Sequence, residues 1–270
     1  LAGTVYNINS KQPKIRSHEY VIGDVHGCFK EFKQLVNKIL EVDSKAQFIL
    51  IGDIVDRGGE TVKMLEWAMK HVNREHSRFK MILGNHEHMK IEYFTHYLNL
   101  KKNGTITSVD DIMPDKYNLM GRLQYEKYTD EQIEEVLEFF KSLPIYYETY
   151  SMLKQANGKT KKQHFIIVHG DLNSSFINKD ESFSKSCLFR TNRSYYKMCY
   201  GKTPVEMIVW DRNYFGHSDL KHTIIIHGHT PTVLHELTCR GAIEGRIDYK
   251  ENDINVDCGI AYDMYSRHAN

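Results

Sequence analysis

Six short segments hold the residues whose types and spacing could do chemistry, and they follow one another in order. They read GDVHG (Gly23 to Gly27), GDIVDRG (Gly52 to Gly58), GNHE (Gly84 to Glu87), VHGD (Val168 to Asp171), HGHT (His227 to Thr230) and VDCG (Val256 to Gly259). The first five supply Asp, His and Asn, donors suited to hard or borderline cations. One GDxHG alone is a weak signal, whereas the ordered set is a strong one. Asp24 and His26 are separated by one residue, so an extended segment points both the same way. Neighbouring glycines permit the tight turns and close backbone approach that such a site needs.

Those donors need a scaffold, and the apolar pattern provides one. Tyr20 to Ile22, Phe48 to Ile51 and Met81 to Leu83 read as short strands. Between the first two, Phe29 to Val42 places Phe32, Val36, Ile39 and Leu40 near one helical face. Thr61 to Val72 reads as a second helix, and a third is expected from about Met89 to Leu100. This β-α-β-α-β rhythm predicts an α/β fold with a partly parallel sheet flanked by helices. Ligands of such sheets collect at the carboxyl ends of the strands. Asp24, Asp53, Asn85, His169 and His229 each follow an apolar run, so the fold is expected to bring them to one edge.

Further along, Thr129 to Ser142 reads as a helix with Thr129 and Gln132 as a capping box. Tyr146 to Leu153 and His164 to Val168 read as a hairpin around the turn signal Asn157-Gly158. Strands are expected at Thr223 to Ile226, Val233 to Leu237 and Asp253 to Val256. Residues 101–128 read as a loop-rich insertion. Residues 172–222 are long, irregular, polar and aromatic, the pattern of a functional lid. No linker separates the motifs, so 1–270 reads as a single domain.

The motif set resembles the phosphoprotein phosphatase family of calcineurin-like metallophosphoesterases, and among them the compact bacterial and bacteriophage serine/threonine phosphatases. The likeness runs from about Tyr20 to Gly259, and VLEFFKSLPIYYE (Val136 to Glu148) resembles the helix and strand before the family's next metal-binding histidine. The resemblance implies an α+β sandwich of mixed sheets with a dinuclear metal site at the strand ends. It implies that Asp24 and His26 hold one metal, that Asp53 bridges, and that Asn85, His169 and His229 complete the second. It implies His86 as general acid oriented by Asp56, and Arg57 as a phosphate clamp. Arg212, in the run VWDRN, would be a second clamp. Two divalent ions are implied, manganese first, with iron and zinc fitting the same donors. Their charge exceeds that of Asp24 and Asp53, which suits a phosphate dianion.

The implied reaction is hydrolysis of phosphomonoesters by in-line attack of a metal-bridging hydroxide. The expected substrate is phosphoserine or phosphothreonine in a phosphorylated protein. The alternative is a dinucleoside polyphosphate or another nucleotide, and a non-catalytic binding module is the remaining reading. Two departures and one distinguishing absence bear on this, the absence favouring the phosphoprotein phosphatase branch. Asp171 stands where the family often has glycine, and Leu83 precedes GNHE where many members have arginine; HGHT lacks the second histidine of the GHxH that more distant metallophosphoesterases, nucleases among them, often carry. The role of Asp171 stays open among substrate binding, support of a ligand and turn capping.

Composition narrows the setting. A net charge of +1 gives no global basic excess for nucleic acid or an anionic membrane. The apolar runs are too short to span a bilayer, and residues 1–18 lack a signal-peptide core. Five scattered cysteines without a CxxC pair suggest reduced thiols and a cytoplasmic location. Of the fifteen histidines, His217 is grouped with surface residues, and His227 is read as buried and hydrogen-bonded.

Overall fold

Alternation along one strand sets the layers of the molecule. The computed structural model describes residues 6–7, 18–105, 128–154, 158–186, 202–212, 217, 219–250 and 252–262. In it Phe48 and Leu50 join one apolar cluster while Ile49 and Ile51 join another. Side chains of a strand point alternately to opposite faces, so a strand buried on both sides must be apolar throughout.

The strand is β3 (Gln47–Leu50), which lies in a four-stranded sheet with β1 (Tyr6–Asn7), β2 (Glu19–Ile22) and β4 (Phe79–Met81) in the order β1-β2-β3-β4. β2, β3 and β4 are parallel and β1 is antiparallel. A five-stranded sheet is built from β5 (Tyr147–Lys154), β6 (Thr160–Ile167), β7 (Thr223–His227), β8 (Asp248–Lys250) and β9 (Asp253–Asn255), in the order β5-β6-β7-β9-β8. Its central strands β6, β7 and β9 are parallel, and the two outer pairings are antiparallel.

The sheets pack face to face. Val21, Ile49, Ile51 and Ile82 meet Phe165, Ile167, Ile226 and Ile254 in the shared interior. Helices α1 (Phe29–Val42), α2 (Thr61–His71), α3 (Asn85–Lys102) and α4 (Asp130–Lys141) cover the outer face of the first sheet through Phe32, Met64, Phe94 and Phe140. The outer face of the second sheet is covered from the 172–222 segment. Phe176, Phe183 and Leu220 pack there with Met207 and Ile208 of α5 (Pro204–Trp210). The expected fold class is therefore present: mixed sheets flanked by helices, as a sandwich.

Local chemistry fixes several ends. Gln132 N donates to Thr129 Oγ1 at 3.3 Å and Thr129 N to Gln132 Oε1 at 2.9 Å, the capping box expected for α4. α5 begins with Pro204 after a Thr203–Glu206 capping box. Three expectations shift. α3 starts at Asn85 rather than about Met89, because Glu87 accepts from Gly84 N at 3.1 Å and closes the first turn. β4 ends at Met81, so Ile82 and Leu83 lead into that turn. Val233 to Leu237 is not a strand: Leu234 N bonds Pro231 O at 3.0 Å, and the chain turns into the short helix α6 (His235–Thr238). Pro231 fixes its own φ and helps impose that turn. Most of the 101–128 insertion, Asn157 and residues 187–201 lie outside the described residues. Among those described, no helix is long and apolar enough to cross a membrane.

Candidate active site

The parallel strands deliver their loops to one edge. Asp24 and His26 follow β2, Asp53 follows β3, Asn85 opens α3 after β4, His169 follows β6 and His229 follows β7. Backbone bonds sew the loops together. His26 N donates to Asp53 O at 2.8 Å, Gly27 N to Ile54 O at 2.8 Å, and Gly228 N to His169 O at 2.9 Å. His26, Asp53, Asp56, Arg57 and His229 all adopt left-handed backbone, with φ of 45°, 50°, 67°, 65° and 65°. Such residues cost on the order of 1–3 kcal/mol each and persist where surrounding structure holds them. Gly84 has no side chain for a spatial reason: a Cβ there would lie 2.3 Å from Asp53 Oδ1.

Asp53 sits between two groups of donors. Its Oδ1 is 3.3 Å from His169 Nε2, and its Oδ2 is 3.5 Å from His26 Nε2. It belongs both to the cluster His26–Asp53–His86 and to the cluster Asp53–His169–His229, each with its ligand atoms within 4.8 Å of one another. Asn85 Oδ1 lies 2.8 Å from His169 Nε2 and 2.8 Å from His229 Nδ1. Asp24 Oδ2 is 3.9 Å from His26 Nε2. All six side chains are buried.

The arrangement fits a pair of divalent cations. His26 Nδ1 donates to Val55 O at 2.9 Å and His169 Nδ1 to Ile51 O at 2.8 Å, which fixes tautomers with Nε2 facing the cluster. His229 Nε2 is buried and has no hydrogen-bond partner among the described residues. Burial, with His86 and Arg57, pushes His26 down to about 3. Burial, with His169 and Arg212, holds His229 well below its ordinary value. Both imidazoles are therefore neutral near pH 7, the state that offers a lone pair to a cation. For Asp53 burial opposes ionisation, yet His169, His86 and His26 hold the carboxyl well below its ordinary value. Asp24 is raised by burial and by the neighbouring carboxylates Asp257 and Asp53, a crowding of acids that cations relieve.

Beside the centre, His86 Nδ1 is 2.8 Å from Asp56 Oδ2, and Lys90 Nζ is 3.0 Å from Asp56 Oδ1. His86 and Lys90 are four residues apart on α3 and so share a face. Burial alone would raise Asp56, but the bond to His86 and the charge of Lys90 bring it below its ordinary value. Arg57 is half-buried, with its guanidinium 5.3 Å from the centre of the Tyr262 ring. Arg212 is exposed at the end of α5. Two residues earlier, Trp210 meets the His229 ring edge-on at 5.7 Å.

Several participants had no role assigned from the sequence, although Glu87, Asp257 and Asp171 lie within its motifs. Glu87, the last residue of GNHE, accepts from Asp53 N at 2.7 Å, Ile54 N at 2.9 Å and Gly84 N at 3.1 Å. Asp257 adjoins Asp24 and is pushed up to about 6 by burial. Asp171 does not enter the Asp53 centre: its Oδ1 accepts from Leu172 N and from His217 Nε2. His217, expected at the surface, is buried, because that bond draws it inward. His227 is buried and hydrogen-bonded as expected, with Nε2 2.9 Å from Asp253 Oδ1.

Comparison with known proteins identifies the family. The family model of the calcineurin-like phosphoesterases matches residues 20–242, and the chain belongs to that family. A symmetrical bis(5'-nucleosyl)-tetraphosphatase of Buchnera aphidicola subsp. Schizaphis graminum is 34% identical over 100 residues, 37% of this chain and 34% of that protein. The asymmetrical bis(5'-nucleosyl)-tetraphosphatase PrpE of Oceanobacillus iheyensis is 24% identical over 250 residues, 90% of this chain and 84% of that one. The chain thus spans about a third of the Buchnera relative but most of PrpE. A protein serine/threonine phosphatase structure from Saccharomyces cerevisiae covers 88% of this chain and 66% of its own, at 18% identity and a TM-score of 0.47.

Proposed function

We propose that this chain is a divalent-metal-dependent hydrolase of dinucleoside polyphosphates. The observation that carries the hydrolase reading is Asp53, whose two oxygens face separate histidine-containing clusters. The substrate reading rests on the relatives, which are named bis(5'-nucleosyl)-tetraphosphatases, PrpE over most of this chain. They favour the nucleotide alternative over the phosphoprotein substrate first expected from the motifs.

In this reading Asp24 and His26 would hold one cation, Asn85, His169 and His229 would hold the other, and Asp53 would serve both. We assign manganese to both positions. The bound pair supplies the Lewis acidity that activates water and neutralises phosphoryl oxygens. The chain's own groups do the rest. His86, held at Nδ1 by Asp56, presents Nε2 to the leaving oxygen as general acid. Arg57 and Arg212 offer planar forks that grip phosphate oxygens in pairs, which lysine does not. Several linked phosphates give both arginines something to hold. Within the single domain 1–270, the 172–222 segment reaches the centre at Trp210 and Arg212, and this end is the part proposed to act as a lid and to select the substrate.

The test is a panel of diadenosine tetraphosphate, a phosphoserine peptide and an aryl phosphate with added manganese. The proposal expects kcat/KM to be highest on the dinucleotide. Higher kcat/KM on the phosphopeptide would return the protein to the phosphatase reading, and no turnover of any would favour a binding module.

A further inference from the structure

A second buried group of metal-type donors lies outside the Asp53 centre. It gathers Asp171, His217 and Asp253, with ligand atoms all within 4.8 Å of one another. They come from three separate stretches: Asp171 follows β6, His217 lies near the end of the 172–222 segment, and Asp253 starts β9. His217 Nε2 is 2.9 Å from Asp171 Oδ1 and 3.6 Å from Asp253 Oδ2. All three side chains are buried.

Both carboxylates are positioned by further bonds, Asp253 at the oxygen away from His217 and Asp171 at the oxygen that meets it. His227 Nε2 donates to Asp253 Oδ1 at 2.9 Å, and Leu172 N donates to Asp171 Oδ1 at 2.6 Å. Asp253 Oδ2 faces the cluster and has no hydrogen-bond partner among the described residues, although Asp253 is only 5% exposed. A buried carboxylate oxygen in that state is costly unless a cation or a donor meets it. Carboxylates that ligate a metal are usually themselves hydrogen-bonded by a second shell.

We propose that Asp171, His217 and Asp253 form a third metal site, separate from the Asp53 centre, for a zinc-type divalent cation. Two carboxylates would balance the charge of such an ion, and His217, giving up its Nε2 proton on binding, would add the third donor. Zinc accepts this mixture of imidazole nitrogen and carboxylate oxygen. The site joins the end of the 172–222 segment to β6 and β9, beside the loops that carry His169 and His229. Its role is structural: the ion pins the base of that segment. This gives Asp171 a function as a ligand.

The full chain, stripped with chelator, loaded with zinc alone and passed through a desalting column, is assayed for metal by mass spectrometry. Wild type should hold one zinc per chain more than the pair at the Asp53 centre. Asp253→Asn and His217→Gln should each lose that one equivalent and keep the pair. Asp253→Asn keeps an acceptor for His227, so it tests ligation with little change of packing. Wild type holding no more than the pair would overturn the proposal whatever the variants do. Equal zinc in wild type and in a folded variant would overturn it as well.

Discussion

Glu87 holds Asp53 from behind: its carboxylate accepts the Asp53 backbone N–H at 2.7 Å, and the Ile54 N–H at 2.9 Å. The residue that could bridge two cations thus has its backbone fixed by the residue that ends GNHE. The third and second motifs are locked to each other, and Asp53 stays in its left-handed conformation, with φ of 50°.

Glu87→Ala strands three buried N–H groups. Each unsatisfied donor costs about 1–3 kcal/mol, so the variant should melt well below wild type in a thermal scan. A loss of 1 kcal/mol lowers Tm by roughly 2–4 °C in a domain near this size. Glu87→Gln keeps one acceptor oxygen and should fall between the two. A Glu87→Ala protein melting with wild type would show that these bonds do not hold the loop.

His86→Asn should separate substrates by their leaving groups. A general acid contributes about 10²–10⁴-fold when the leaving oxygen needs a proton. An alkyl phosphomonoester needs one. A nucleotide phosphate, a much weaker base with a second pKa of about 6 as for phosphoserine, needs it less. Steady-state kcat should therefore fall about 10²-fold or more on the alkyl ester and less on the dinucleotide, with metal content unchanged. Equal losses on both substrates would remove His86 from the acid role.

Arg212→Ala tests the exposed clamp. It removes a charge-assisted fork contact, so kcat/KM for phosphate substrates should drop by about tenfold or more, equivalent to 1.4 kcal/mol. Arg212→Lys should recover only part of it. An unchanged kcat/KM would leave Arg57 as the sole clamp.

His227 sets a pH dependence of stability in the chelator-treated protein. Burial opposes its charge, but Asp253 and Asp171 outweigh burial and push it up to about 9. A histidine raised in the folded state contributes stability in full below its ordinary value of 6.5, and that contribution is lost as pH rises through about 9. Tm should therefore fall between about pH 7 and pH 9.5, and His227→Gln should flatten that part of the profile. The same slope in both proteins would assign the titration elsewhere.

What the sequence made legible was local. Asp24 with His26, Asp53 with Asp56, and Asn85 with His86 each sit within one motif and one loop or helix turn, so spacing alone grouped them. The alternating faces of Phe48, Ile49, Leu50 and Ile51 were equally open to reading as a buried strand. What escaped depends on partners far along the chain. Glu87 meets Asp53 across 34 residues, and His217 meets Asp171 across 46. No periodicity in the irregular 172–222 segment marks His217 as buried. Val233 to Leu237 carries strand-like residues, but the turn at Pro231 prevails over them.

The most direct measurement is an anomalous difference map from crystals of the manganese-loaded protein. The account predicts two peaks roughly 4 Å apart, one against each carboxylate oxygen of Asp53, the first also contacting Asp24 and His26 and the second Asn85, His169 and His229. A single peak at this centre, or two peaks there that do not share Asp53, would contradict it.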